Sequence, residues 1–254
     1  MRIIAIANQK GGCGKTTTTV NTATALAQQG KKVLVIDLDS QAHSTLGFGY
    51  NLEYADKTIY DVIIKNTPIT DAVVNGKIKG LELIPSDILL SGAEIELTSH
   101  PHREYVLIEK LTSAAYRYDF CIIDCSPSLS LLTLNALVAA NEVIIPVQAH
   151  YYALEGLKQL LDTISIVRQR FNRNLKVLGL LLTFVEERTK LSRQIRQQMR
   201  DYFKDMMFDT VIHKTVRLAE APSAGQPILT YAPQSKGAFE YKTFAEEVLS
   251  DGRD

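Results

Sequence analysis

Residues 8–17 read Asn-Gln-Lys-Gly-Gly-Cys-Gly-Lys-Thr-Thr, between an apolar run from Ile3 to Ala7 and a helix-like stretch. A strand, a glycine-rich turn and a helix start, in that order, can wrap a phosphate chain in backbone N–H groups. Gly11, Gly12 and Gly14 let the backbone bend sharply and approach a triphosphate closely. Lys15 would place its ammonium on the β- and γ-phosphates, and Thr16, with Thr17 beside it, would offer a hydroxyl to Mg²⁺. The ordinary P-loop spacing asks for a glycine five residues before Gly14, where this chain has Gln9. A second lysine, Lys10, stands ahead of the glycines instead, on the far side of the turn from Lys15. Cys13 fills the turn, with no base near it in sequence to make it a nucleophile.

Two acidic strand ends follow. Lys32 to Ile36 is strand-like and runs into Asp37-Leu38-Asp39-Ser40-Gln41. Phe120 to Ile123 runs into Asp124-Cys125-Ser126-Pro127-Ser128. Ligands of parallel sheets lie beyond the carboxyl ends of the strands, so both segments are expected to face the glycine-rich turn. Asp37 and Asp124 suit positions around Mg²⁺, through its waters or by holding Thr16. Asp39 lies closer to where a γ-phosphate would sit.

Together these segments resemble the ParA family of deviant-Walker ATPases, particularly its short chromosomal, Soj-like branch. Gly92–Leu97, Leu132–Ala136, Pro146–Gln148, Tyr151–Gly156 and Val216–Ser223 resemble further blocks of that family, so the likeness covers nearly the whole chain. It implies a Mg²⁺-dependent ATP hydrolase of weak basal activity, with ATP and Mg²⁺ as cofactors. It implies nucleotide contacts from Gly11, Gly12, Cys13, Gly14, Lys15, Thr16, Thr17, Asp124 and Pro222, and Thr16, Asp39 and Asp124 around the metal. Asp39 would position the attacking water, and Lys10 would cross to the phosphates of a partner subunit's ATP, as an arginine finger does. Lys10, Lys15 and Asp39 are then the catalytic set. The resemblance also implies an ATP-dependent homodimer, a ParB-like partner that speeds hydrolysis, and a chromosome or plasmid as the usual cargo. The chain departs from the family at Ser40 and Ser126, where proline is usual, and at Cys13, where a small aliphatic residue is usual. Losing a proline frees φ without removing a catalytic group, so softer loops are expected.

These residues need a scaffold. Aliphatic runs alternate with amphipathic stretches, the mark of a parallel sheet covered on both faces. The expected fold is α/β: a single P-loop domain over residues 1–254, with a mostly parallel twisted sheet. Strands are expected at 2–7, 32–36, 81–84, 119–124, 142–147, 175–183 and 208–212. Helices are expected at 16–29, 87–97, 102–116, 129–139, 153–170, 190–206 and 238–249, with loops and short helices up to about residue 75. No run of about eighteen apolar residues occurs, so a soluble, cytoplasmic protein without membrane contact is expected. Three cysteines, two of them at one strand, do not make a disulfide framework. His43, His100 and His102 have no metal-ligand spacing with them.

Lys plus Arg balances Asp plus Glu at 28 each, yet the distribution is uneven. Between Arg168 and Arg217 lie twelve basic residues and five acidic ones. In the helix at 190–206, Ile195, Met199, Phe203 and Met206 form an apolar stripe. Arg193, Arg196, Arg200 and Lys204 form a second stripe on another face. With Arg188, Lys214 and Arg217 nearby, and with the resemblance to the ParA family, this segment is expected to contact DNA phosphates without reading sequence, and the resemblance implies a nucleoid-associated protein.

Three other functions meet specific obstacles. A MinD-like division regulator needs a basic amphipathic C-terminus, whereas residues 239–254 carry more acids than bases. An iron–sulfur reductase needs exposed thiolates to share a cluster. A plasmid-type ParA with an added DNA-binding domain would need sequence ahead of the first strand.

Overall fold

The computed structural model describes residues 1–51, 56–149, 153–186 and 190–251. Strands β1 (Arg2–Ile6), β2 (Val33–Leu38), β3 (Val74–Asn75), β4 (Leu81–Ile84), β5 (Phe120–Cys125), β6 (Glu142–Gln148), β7 (Lys176–Val185) and β8 (Met207–His213) form one sheet. Its order is β3-β4-β2-β5-β1-β6-β7-β8. The strands are parallel except for β3, which pairs antiparallel with β4. Ile3 and Ala5 face one apolar layer while Ile4 and Ile6 face the other, the alternation a pleated strand imposes. Burial on both faces is why the strands read as continuous hydrophobic runs.

One face is covered by α3 (Ile59–Ile63), α4 (Leu90–Leu97), α5 (Val106–Thr112), α6 (Leu131–Ala139), α7 (Ala153–Arg170) and α8 (Lys190–Phe203). The other is covered by α1 (Lys15–Gln28), α10 (Ile228–Tyr231) and α11 (Lys236–Ser250). Short helices α2 (His43–Gly47) and α9 (Val216–Glu220) lie near the carboxyl ends of the strands they follow. Helix α11 is bound to the edge strand by its carboxylates as well as by packing. Glu240 accepts the His213 N–H at 2.9 Å and Glu247 accepts the Thr210 N–H at 3.0 Å, which occupies backbone donors of β8.

Gly49, just after α2, and Gly225, after the 3₁₀ turn Ala221–Ala224, meet backbone to backbone. A methyl built on Gly49 would lie 2.5 Å from the Gly225 carbonyl oxygen, and one on Gly225 would lie 2.8 Å from the Gly49 Cα. Both glycines also have positive φ, +70° and +60°.

The expected fold class is observed, and its differences from expectation are local. Strand β2 runs two residues further than expected, to Leu38, which draws Asp37 into the sheet opposite Asp124 of β5. Helix α5 begins only at Val106, because His102 has φ +55° and Tyr105 closes a turn onto its carbonyl at 2.8 Å. The expected helix at 190–206 ends at Phe203 and tightens into a 3₁₀ turn over Lys204–Met206. Strand β3, α9 and α10 were not expected; each is too short to carry a periodic signal.

Candidate active site

Strands β1, β2 and β5 lie side by side, and their carboxyl ends converge on the glycine-rich turn. Gly14, at φ +92°, makes the turn that starts α1. No side chain caps α1, which leaves its first N–H groups for a ligand.

Asp124, one residue before the end of β5, is fully buried and gathers three hydroxyls. Thr16 and Ser44 donate to its Oδ2 at 2.8 and 2.6 Å, and Thr19 donates to Oδ1 at 3.1 Å. It therefore fixes the rotamer of Thr16 from behind. Asp37, also fully buried, does not hold Thr16. Its Oδ2 accepts the Thr45 amide at 2.8 Å and hydroxyl at 2.7 Å, and its Oδ1 accepts the Asp39 amide at 3.2 Å. The expectation that both aspartates could hold Thr16 is thus corrected to Asp124 alone. Asp37 instead shapes the 39–45 segment. Asp39 follows β2 directly, half-buried, and its carboxylate accepts the Gln41 N–H at 3.0 Å.

Burial, with the neighbouring Asp124 charge second, pushes the Asp37 carboxyl up to about 7; burial raises Asp124 as well. A carboxyl that keeps its proton to about pH 7 when folded, but loses it near 3.9 when unfolded, makes the native state bind more protons across that interval. Stability therefore falls as pH rises from about 4 to about 7 and levels off above. Between pH 6 and 8 the expected loss is on the order of 1 kcal/mol, seen as a lower melting temperature of the ligand-free protein. Calorimetry at the two pH values checks this, and a flat profile would mean that both carboxylates stay charged throughout.

Lys15 is only 7 % exposed, and its Nζ donates to the Lys10 carbonyl at 3.1 Å. Lys10 in turn donates from its Nζ to Gln148 Oε1 at 3.3 Å. Among the described residues no carboxylate forms an ion pair with either ammonium. The Thr183 hydroxyl donates to the Cys13 carbonyl at 2.8 Å, tying the turn to β7.

A cleft of about 900 Å³ opens beside Gly14 and Thr17, walled by Phe184, Val216, Leu218 and Pro222. Pro222, an expected nucleotide contact, is among these lining residues, and the rest of this wall was not foreseen. Phe184 takes φ +53°, an uncommon conformation for a bulky residue, and lies within 3.5 Å of a methyl built on Gly14. Its only sequence signal is its place at the carboxyl end of a strand expected beside the site.

A family model described as an AAA domain matches residues 1–177. Over 251 residues the chain is 46% identical to the sporulation initiation inhibitor protein Soj of Bacillus subtilis strain 168, covering 99% of each. The chain belongs to the ParA/Soj family. It is also 44% identical to the chromosome partitioning protein ParA of Caulobacter vibrioides, spanning all of this chain and 96% of that one. A solved structure described as cobyrinic acid a,c-diamide synthase from Mycobacterium smegmatis, with bound ATP analog and magnesium, is 36% identical. It superposes with a TM-score of 0.87 over 98% of this chain and 94% of its own. Family and fold together make this ParA/Soj chain a P-loop ATP hydrolase.

Other features of this ParA/Soj ATPase bear on the competing functions. Cys13, Cys121 and Cys125 are buried, with burial raising each thiol, so none is available to an iron–sulfur cluster. Helix α11 buries Tyr241, Phe244 and Val248 against the sheet, as expected for a packed C-terminus. Among the described residues no helix is long and apolar enough to cross a membrane. His43, His100 and His102 are exposed.

The basic residues do not form one cluster. Arg188 lies outside the described residues. Arg193 is exposed and Arg196 half-buried on α8. Arg200 is engaged with Asp209 at 3.2 Å, near the start of β8. Lys214, paired with Glu186 at 3.0 Å, and Arg217, paired with Glu220 at 3.0 Å, follow the other end of that strand. The length of β8 separates Arg200 from Lys214 and Arg217 by about 20 Å. The basic residues are therefore spread along α8 and the end of β8, and Lys214 lines the cleft beside Gly14.

Proposed function

We propose that this chain is an ATP-driven dimerisation switch that partitions DNA. It binds ATP with Mg²⁺, joins a second copy face to face, binds DNA without sequence preference, and comes apart on hydrolysis. The observation that carries this reading is the pair of lysines at the turn, one buried and one on its rim, resting on a carbonyl and an amide without an ion-pairing carboxylate. A buried ammonium in that state is a burden on the fold that a polyphosphate relieves.

Each residue has a part. Backbone N–H groups of Gly11–Thr17 cradle the phosphates, Lys15 turns from the Lys10 carbonyl to the β- and γ-phosphates, and Lys10 reaches the partner's nucleotide. The Thr16 hydroxyl, oriented by Asp124, holds Mg²⁺, with Asp39 close by. No cluster of three metal-ligating side chains occurs among the described residues, which suits an ion that takes most of its ligands from phosphate and water. When bound, Mg²⁺ neutralises charge on the transferred phosphoryl group. Asp39 orients the attacking water, and the cleft walled by Phe184, Leu218 and Pro222 takes the base. The name of the ParA relative favours a chromosome as cargo; a plasmid as the other cargo, a ParB-like stimulating partner and a cytoplasmic, nucleoid-associated setting are proposed with it.

The test is DNA retention measured with ATP, with ADP and without nucleotide across a salt series. Binding is expected only with ATP, falling steeply with salt. Replacing Arg188 and Arg217 together by alanine should weaken binding equally on all sequences. The salt slope should become shallower by about one unit per lost phosphate contact per subunit. Unchanged affinity in that variant would remove this edge as the DNA-binding face, and binding independent of ATP would remove the switch.

A further inference from the structure

We propose that Gln148 is the positioning residue for Lys10. Its neutral amide is a rest from which the ammonium departs when a partner's nucleotide arrives. This rests on the role in trans given to Lys10 above.

The turn is fastened to β6 twice. Asn8, 8 % exposed, donates from Nδ2 to the Pro146 carbonyl at 2.7 Å and accepts the Lys10 N–H on Oδ1 at 3.0 Å. The Lys10 backbone is thereby pinned to β6. Two residues beyond Pro146, Gln148 ends that strand and takes the Lys10 ammonium at 3.3 Å. Gln148 is itself held, since it pairs with Thr183 of β7, whose hydroxyl grips the turn at Cys13. The acceptor for Lys10 thus stands on the same rigid sheet that anchors the glycine-rich turn.

The chemistry of the acceptor matters as much as its place. An amide oxygen orients an ammonium but carries no charge, so a triphosphate outcompetes it. A carboxylate of nearly the same shape would add a full opposite charge to that hydrogen bond and would hold the lysine back. The long, flexible stem of lysine lets its head swing away while the backbone stays pinned. Lys15 adds a link in cis. Its ammonium rests on the Lys10 carbonyl at 3.1 Å, so each lysine of the turn is parked on a neutral oxygen.

The decisive experiment is a mutant cycle between Lys10→Ala and Gln148→Glu, reading ATP-dependent dimerisation by sedimentation and turnover by phosphate release. Gln148→Glu is expected to weaken both about tenfold in the otherwise unchanged chain, and to add no loss once Lys10 is alanine. An equal loss in the Lys10→Ala background, or no loss in the unchanged one, would overturn the assignment. Lys10→Ala alone reports on the reading beneath it. Normal dimers from that single variant would remove the action in trans, and the inference with it. Should glutamate at position 148 prevent folding, Gln148→Ala goes through the same cycle. Turnover is then expected to fall about threefold with Lys10 present and not at all without it. Equal falls in both backgrounds would make Gln148 merely structural.

Discussion

Asp39→Ala is expected to bind ATP, pair with a second copy and then stall. The substitution removes a half-buried carboxylate whose observed bond is local, to the Gln41 N–H at 3.0 Å, so the fold should lose about 1 kcal/mol or less. It removes no phosphate contact, and the buried pair behind it, Asp37 and Asp124, keeps its hydroxyl partners. What disappears is the group proposed to aim water at the γ-phosphate. Loss of such a group slows turnover by about 10²- to 10⁴-fold. Sedimentation with ATP should show a persistent dimer while phosphate release falls to near zero. Hydrolysis at the unsubstituted rate would show that Asp39 only closes its turn.

Lys15→Ala should fail earlier, at nucleotide binding. Truncating one member of a buried charged contact costs about 2–5 kcal/mol, so affinity for ATP is expected to fall by between about 30-fold and several thousand-fold, and the dimer with it. Lys15→Met separates this loss from damage to the fold. It keeps the stem volume but removes an ammonium that, without ligand, is buried against one carbonyl oxygen. The ligand-free Met variant should melt at or above the unsubstituted chain while titration calorimetry detects no ATP binding. Retained affinity would mean that the backbone cradle holds the phosphates without the lysine.

How far the site could be read from sequence depended on how local its parts are. The turn at 8–17 was legible because strand, glycines, lysine and hydroxyl follow one another within one segment, and each residue type has one physical reason to be there. The grouping around Asp124 was only half legible. Thr16 was foreseen, whereas Thr19 and Ser44 reach the same carboxylate from 105 and 80 residues away, a convergence set by the sheet. Asp37 was placed just beyond its strand; aspartate is a poor strand residue, and pairing with β5 overrides that preference. Phe184 and the 216–222 wall carry no local motif. The basic stripe on α8 was correctly seen as periodic. Nothing in a helical period, however, shows that Asp209 claims Arg200 or that β8 lies between Arg200 and Lys214.

The meeting of Gly49 and Gly225 closes off a route that evolution commonly uses. When two side chains collide, enlargement of one can be repaired by trimming the other, so contact positions drift as pairs. Here each partner is already the smallest residue, and the collision would be with backbone: a carbonyl oxygen on one side and a Cα on the other. A first substitution at either site therefore has no compensating second one at its neighbour. Relief must come from moving a whole segment, either the one that leads back through α2 to Ser44 and Asp39 or the one that leads back to Pro222 and Arg217. Sequence change at these two glycines is thus locked to a shift of the segments that carry the proposed chemistry and the proposed DNA contact.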